Sequence, residues 1–187
     1  EVKRTQQGTR SGTAVHVFGV KRSESNVKSA TDAAIKEQIE PALRAMLDQK
    51  DLNFDIQSAA AIALAKIGDS TIIPTLKKMA LNDKKDFHRV VEESAALAFG
   101  LLQDDSEEVR TFLIELVADK DRNASFVRPF AAVSLGLLGS ANSTGESSTS
   151  SDDRVTETLL DILAGKETKP DIKPAALMAL GLLGNDA

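Results

Sequence analysis

The sequence predicts an all-α fold made of about four helical hairpins stacked in chain order. Two observations carry this prediction: a segment of 13 residues occurs four times, and a shorter apolar pattern with helical spacing precedes each copy. The four copies are IQSAAAIALAKIG at residues 56–68, VEESAALAFGLLQ at 91–103, VRPFAAVSLGLLG at 127–139 and IKPAALMALGLLG at 172–184.

Four positions of this segment keep the same kind of residue when each copy is numbered from zero. Motif position 0 is Ile or Val, position 4 is always Ala, position 8 is Leu or Phe, and position 11 is Ile or Leu. At about 100° per residue these positions fall within about 80° of arc, which is one face of an α-helix. An alternating strand cannot produce that set, so each copy predicts a helix, the second helix of its repeat.

Apolar residues spaced by three and four positions come before each copy and predict a first helix. The sets are Leu43/Met46/Leu47, Leu76/Met79/Ala80, Leu113/Leu116/Val117 and Leu159/Ile162/Leu163. The first of these helices is expected to begin at Thr31 or Asp32, because either residue can cap a helix. Each repeat is therefore predicted to be a hairpin of two helices.

The spacing between copies places a loop in the last repeat. The third and fourth copies start 45 residues apart, whereas the earlier pairs start 35 and 36 residues apart. The extra residues fall in the Ser/Thr/Gly tract SANSTGESSTSS at 140–151. Such a composition cannot bury apolar surface, so a flexible inter-repeat loop is predicted there.

Residues able to carry out chemistry are few, and no catalytic, cofactor or metal site is predicted. The chain has no Cys, which excludes thiolate chemistry and Cys-ligated zinc, and its histidines are His16 and His88. His88 is expected to be a joint residue just before a second helix. The acidic pairs at 104–105, 107–108 and 152–153 are expected at first-helix N-termini, where negative charge complements the helix dipole.

The charge and aromatic content argue against nucleic acid as a partner. Residues 1–30 hold six Lys or Arg and two Glu and so carry +4, which leaves −9 for the remainder of a chain of net charge −5. An acidic array repels phosphate. There is no Trp or Tyr to stack on bases. No apolar run reaches 18 residues, so no membrane span is expected.

The sequence divides into an N-terminal arm, residues 1–30, and the repeat array, residues 31–187. Val15 and Val17 alternate around His16 between Gly12 and Gly19, which hints at a short strand. Either the arm is extended and docks on a partner or on the array, or it is a partly ordered leader. The chain starts at Glu1 without a signal-peptide pattern, so a fragment or a mature form is expected, and its compartment is left unassigned.

These features resemble the HEAT-repeat superfamily, and within it the short Ala/Leu/Gly-rich subtype of the phycobilisome lyases. The resemblance covers about residues 38–184. It rests on the A-L-G-L-L-G ending at 179–184, its S-L-G-L-L-G counterpart at 134–139, the Asp-turn-Val-Arg joint at 119–128, and the Ile-x-Pro-x-Leu starts at 39–43 and 72–76. It implies a right-handed α-α superhelix of the HEAT/armadillo type.

The candidate partner-binding residues are those expected on the concave surface of such an array, at motif positions 1, 2, 5 and 9. They combine a floor of small residues with polar groups running from acidic to basic. They are Gln57, Ser58, Ala61, Glu92, Glu93, Ala96, Arg128, Ala132, Lys173 and Leu177. An alternative stays open, in which the small residues only let adjacent second helices pack tightly.

The predicted function is a non-catalytic scaffold that binds a peptide or protein partner on its concave face. The alternative, a bilin lyase or chaperone-like factor, is implied only by the resemblance. Leu177, Met178 and Leu182 are expected to be open on the last helix, which predicts further repeats or an end-to-end contact with another copy.

Overall fold

Residues 32–187 form one compact unit of the chain. The computed structural model describes residues 30–49, 52–121, 126–142, 151–165 and 171–184. The predicted arm, with its strand around His16, therefore lies outside the described residues. So does the centre of the predicted Ser/Thr loop, at 143–150.

Every regular element of the described residues is helical, as the sequence predicts. The helices are α1 Asp32–Ala34, α2 Glu40–Leu47, α3 Phe54–Ile67, α4 Ile73–Leu81, α5 Arg89–Leu102, α6 Glu107–Ala118, α7 Val127–Asn142, α8 Ser151–Ala164 and α9 Ile172–Leu183. The four motif copies coincide with α3, α5, α7 and α9, which are the second helices. The first helices are α2, α4, α6 and α8.

The helices pack in chain order. Each first helix packs against the second helix that follows it, which gives four consecutive hairpins. The most extensive contacts, however, join the second helices to one another, α3 to α5, α5 to α7 and α7 to α9. The second helices thus form one continuous packed row, and the predicted hairpins are confirmed.

The core lies between the first and second helices and along this row. The Ala at motif position 4 is at most 2% exposed in every repeat, at Ala60, Ala95, Ala131 and Ala176. Phe99 at position 8 reaches the first helix of the next repeat, where its ring centroid lies 5.2 Å from that of Phe112. Position 0 is buried in α5, α7 and α9, but Ile56 of α3 is 44% exposed.

Side-chain caps begin several of these helices, and the predicted acidic pair at 107–108 lies in the first turn of α6. The Asn53 side chain accepts from the Asp55 N–H, His88 Nδ1 accepts from the Val90 N–H, and the Ser106 hydroxyl accepts from the Val109 N–H. The His88 ring also stacks on Phe54 of the preceding repeat, with centroids 4.1 Å apart. His88 is thus a joint residue, which confirms that prediction.

Proline shapes the start of the first hairpin. Pro41 has no N–H to bond to the preceding turn, and a π-helical segment, Ile35–Ile39, separates α1 from α2 just before it. The Glu40 N–H bonds to the Ile35 carbonyl, a five-residue step that closes this wider turn. In α4, Pro74 lies at the helix start, where a missing N–H costs little.

Helices extend into both ends of the tract in which the sequence predicts a loop, residues 140–151. Helix α7 continues to Asn142, and α8 already begins at Ser151. Ser, Asn and Asp favour helix termini because their side chains can bond to free backbone groups there. The tract therefore contributes to two helix ends as well as to the connection between them.

Candidate partner-binding surface

The small residues at motif position 5 are buried between second helices and do not form an exposed floor. Ala61, Ala96 and Ala132 are 0% exposed. Position 9 is buried in the same three helices. The prediction of an exposed groove floor is therefore wrong for these residues, and the alternative of tight helix packing is right. Leu177 is the exception, because 59% of its surface is exposed on α9.

Close approach of the helix backbones explains why these positions must be small. A Cβ added at Gly100 would lie 2.7 Å from Ser134 Cα, and one added at Gly136 would lie 2.6 Å from Ala179 Cα. Real Cβ atoms do not come so near another backbone atom, so only glycine fits at these two crossings. In each pair, position 9 of one helix meets position 7 of the next.

The polar residues at motif position 1 are occupied within their own hairpins. Gln57 Nε2 donates to the Gln49 carbonyl at 3.0 Å, and Arg128 Nε donates to the Val117 carbonyl at 2.8 Å. Lys173 Nζ donates to the Leu163 carbonyl at 3.0 Å. These carbonyls lie at or just beyond the C-terminus of a first helix, where backbone oxygens lack helical partners and positive charge is favourable. Position 1 therefore locks the two helices of a hairpin together.

The acidic members of the predicted set also serve joints. The Glu92 carboxylate accepts a hydrogen bond from the side chain of Asn82, which ends α4 in a left-handed conformation. The Glu93 carboxylate accepts from the Phe126 N–H at 3.1 Å and so ties the second repeat to the third. Ser58 is buried, with 8% of its surface exposed. The predicted series of polar residues, acidic at one end and basic at the other, therefore does not line an open groove, because these side chains bond to neighbouring turns and helix ends.

The exposed side of the second helices lies instead at motif positions 3, 6 and 10, which we call the open face. These positions fall within about 60° of arc, roughly opposite position 8, which points at the first helices. In α3, α5, α7 and α9 the residues of the open face that are partly or fully exposed are Ala59, Ile62, Lys66, Ser94, Leu97, Leu101, Phe130, Val133, Leu137, Met178 and Leu182.

The open face is mainly apolar. Positions 6 and 10 hold Ile, Leu, Val or Met in every second helix except at Lys66, which is the one charged residue among those named above. The sequence carried a signal for this surface, since large apolar residues recur at positions that do not face the first helix. That signal is weak, because the sequence of a helix that is apolar on nearly all sides does not show which side faces solvent.

Charged residues of the first helices pair with one another across repeats. Lys77 of α4 pairs with Glu108 of α6 at 2.7 Å, and Arg154 of α8 pairs with Glu107 of α6. These ion pairs link first helices of successive repeats. The first helices therefore expose paired charges together with large apolar residues such as Met46 and Leu160, whereas the open face exposes a single charge, Lys66.

Two aspartates at equivalent turns have lowered pKa values. Burial raises the pKa of Asp69, but hydrogen bonds from the Thr71 and Arg44 side chains, together with the Arg44 charge, hold it below its ordinary value of 3.8. The Ser106 side chain lowers the pKa of Asp104, burial opposes this, and a hydrogen bond from Ser70 of the preceding repeat adds to the lowering. Both carboxylates therefore stabilise turns in their ionised form.

The described part of the chain also bears on two other kinds of feature, metal sites and membrane spans. No group of three or more His, Asp or Glu residues there is placed to hold a metal ion. Within the same ranges, no helix is both long and apolar enough to cross a membrane.

In comparisons with known proteins, no family model matches the chain, and no curated protein matches it either. The inference about function therefore has to come from the surface itself.

Proposed function

We propose that the protein is a non-catalytic HEAT-repeat scaffold that binds a protein partner on the open face of its second helices. The proposal extends the consecutive hairpins of residues 32–187 to a right-handed α-α superhelix of the HEAT/armadillo type. Its support is the recurring A-L-G-L-L-G ending and the continuous row of second helices.

The observation that carries the proposal is the run of partly exposed apolar side chains on neighbouring helices. Leu97 and Leu101 of α5, and Val133 and Leu137 of α7, occupy open-face positions of two helices that pack against each other. Contiguous apolar surface of this kind is unfavourable in water and is typical of interaction sites. Polar groups on this face, such as Ser94, are too few to bind a charged or hydrophilic ligand selectively.

The spacing of these residues indicates the chemistry of the partner. Packed helices lie about 8–10 Å apart, so the apolar rows of adjacent second helices form parallel ridges with a shallow groove between them. An amphipathic helix presents apolar residues at intervals of three and four, which can fill such a groove. The expected partner is therefore a protein segment with an apolar helical face.

The test compares two pairs of substitutions that add the same charge to different surfaces. The variant Leu97→Glu/Val133→Glu changes the open face, where both side chains are partly exposed. The control Leu160→Glu/Ala118→Glu changes exposed residues on the first helices α8 and α6. Circular dichroism melting first establishes that both variants are folded.

Each protein is then immobilised on a resin and incubated with a lysate of the cells that naturally make it. The proteins retained on the resin are quantified by mass spectrometry. A partner of the open face is retained by the wild type and the control and lost from the open-face variant. If the open-face variant is folded and retains the same proteins as the wild type in equal amounts, the open face is not the binding surface and the proposal fails.

A further inference from the structure

A cavity lies at the joint between the first two hairpins. It is bounded by the end of α2, the first turn of α3, one side of α4 and the loop that follows α4, and its volume is about 320 Å³. Ligand pockets in proteins usually measure about 300–1,000 Å³, so this cavity is large enough for a small ligand or one long side chain. None of its lining residues belongs to the open face, so it is a separate surface.

Hydrogen bonds hold two walls of this cavity in place. Gln57, which is 7% exposed, donates through Nε2 to the Gln49 carbonyl at 3.0 Å and so fixes the chain just after α2. Asn82 donates through Nδ2 to the Phe87 carbonyl at 2.8 Å and accepts from the Phe87 N–H at 3.0 Å, which fixes the loop after α4. A ligand therefore enters a shape that already exists, and little of the protein has to become ordered on binding.

The charges of the lining favour a cation. Asp48 and Asp86 both line the cavity, and among the described residues neither of them forms an ion pair. Lys78 is the one cationic residue of the lining, and its Nζ lies 5.7 Å from the centroid of the Phe87 ring. Two carboxylates and one ammonium give the lining a formal charge of −1. The C-terminal end of α2 adds the negative end of a helix dipole.

Apolar side chains form part of the wall beside these charges. Met79 is 1% exposed, and Leu47 and Phe87 are partly exposed. A ligand that joins a cationic head to a short apolar stem matches both the carboxylates and this apolar surface. The side chains of Lys and Arg have this composition.

The corresponding joint between the third and fourth hairpins has a cavity of different charge. Its volume is about 260 Å³, and it lies among α6, α7 and α8. Arg128 stands there at the position of Gln57, and Asp161 stands at the position of Lys78. Lys120 is a second cation of that lining, whose formal charge is therefore +1. The packing of the repeats thus supplies a cavity at both joints, and the side chains set its charge.

We propose that the cavity at the first joint binds an ammonium or guanidinium group carried on an apolar stem. The stem lies against Leu47 and Met79, and the cationic head lies near Asp48 and Asp86. The ligand is either a free small cation or the Lys or Arg side chain of a partner protein.

The experiment titrates three probes into the full chain labelled with ¹⁵N. They are n-butylguanidinium, its neutral analogue n-butylurea, and the blocked peptide acetyl-Gly-Arg-Gly-amide. Binding is followed by the NMR signals of the Gln49 and Gln57 side-chain amides, which lie at the cavity. We expect n-butylguanidinium to shift these signals with a dissociation constant of about 1 mM, and n-butylurea to bind about tenfold more weakly because it carries no charge.

Two double variants test the carboxylates. Asp48→Asn/Asp86→Asn keeps the side-chain shapes and removes both charges, and it is expected to raise the dissociation constant for n-butylguanidinium by about tenfold. The control Glu115→Gln/Asp161→Asn removes the same charge from exposed residues of α6 and α8 and should leave that constant unchanged. Circular dichroism melting establishes that both variants are folded.

The peptide separates the two sources of the ligand. Saturable binding of the peptide indicates the side chain of a partner protein, whereas binding of n-butylguanidinium without the peptide indicates a free small cation. The proposal is overturned if neither cation shifts the two amide signals at concentrations up to about 10 mM. It is also overturned if n-butylurea binds as tightly as n-butylguanidinium, or if Asp48→Asn/Asp86→Asn binds like the wild type.

Discussion

The Ser134 hydroxyl of α7 donates a hydrogen bond to the Ala96 carbonyl of α5 at 2.7 Å, inside the contact between two second helices. The bond is buried, and it lies beside the crossing at which Gly100 lets the two backbones approach. A hydroxyl bonding across helices in this way fixes the register of one repeat on the next. The repeats are therefore joined by specific contacts as well as by apolar packing.

Removing this bond is expected to lower the free energy of unfolding. Ser134→Ala loses a buried hydrogen bond, and we expect a decrease of about 1 kcal/mol in urea unfolding. The control is Ser94→Ala on the open face of α5, which makes the same change in helix propensity. Equal stability of the two variants would show that the bond to Ala96 contributes nothing.

Two glycines in equivalent positions should respond in opposite directions to the same substitution. Gly136→Ala places a methyl group 2.6 Å from Ala179 Cα, and the helices must separate. We expect a loss of about 1–3 kcal/mol, because overpacking outweighs the gain in helix propensity of about 1 kcal/mol.

Gly181→Ala is the matched control, since the added methyl group meets no atom there. It should leave stability unchanged or raise it by up to about 1 kcal/mol in dilute protein. Thermal melts of the two variants measure the contrast. A melting temperature for Gly136→Ala equal to or above that of the wild type would contradict the close approach of α7 and α9.

Arg128 is expected to stabilise its own hairpin and not to act as an exposed surface charge. Arg128→Met removes the donor to the Val117 carbonyl from a side chain that is 2% exposed. We expect the free energy of unfolding to fall by about 2 kcal/mol, as for other buried bonds to charged groups. Lys66→Met, an exposed change of the same kind, should stay within about 0.5 kcal/mol of the wild type. Similar losses of unfolding free energy in Arg128→Met and Lys66→Met would contradict the proposal that Arg128 joins the two helices of its hairpin.

Asp69 should make the protein less stable as the solution is acidified. Its pKa in the folded protein lies below the ordinary value, so the unfolded chain takes up a proton first, and stabilisation is lost as pH falls through 3.8 and then through the folded pKa. Wild-type protein should therefore lose more stability than Asp69→Asn between about pH 5 and pH 2.5.

Urea unfolding at each pH gives the comparison for Asp69. The control is Ser94→Ala, which changes no ionisable group, and its acid dependence should match that of the wild type. Parallel curves for the wild type and Asp69→Asn would contradict the assigned role of the Arg44 and Thr71 contacts.

The sequence predicted the helices and their order because both depend on local spacing. Ala at position 4 and Leu or Phe at position 8 mark the buried side of a helix without reference to the rest of the chain. His88 was likewise recognisable as a joint, since it lies just before a periodic segment. The ends of the Ser/Thr tract were less predictable, because residues such as Asn142 and Ser151 suit both loops and helix termini.

The orientation of the exposed surface could not be read in the same way. The two middle second helices, α5 and α7, each pack against at least three other helices, and apolar or small residues occupy nearly their whole circumference. Ala96 and Ala132 looked like a smooth floor, yet they are small because another helix lies directly on them. Arg128 looked like a surface charge, but a carbonyl at the end of its own hairpin accepts its hydrogen bond. Both outcomes depend on tertiary packing that local spacing does not encode.

Photo-crosslinking tests most directly whether the open face is where a partner binds. A photoreactive benzophenone side chain is placed at Leu101 on the open face or at Thr111 on α6, and each protein is irradiated with the partner retained by the wild type. The account predicts a covalent adduct from position 101 and none from position 111. An adduct from position 111 alone would contradict it.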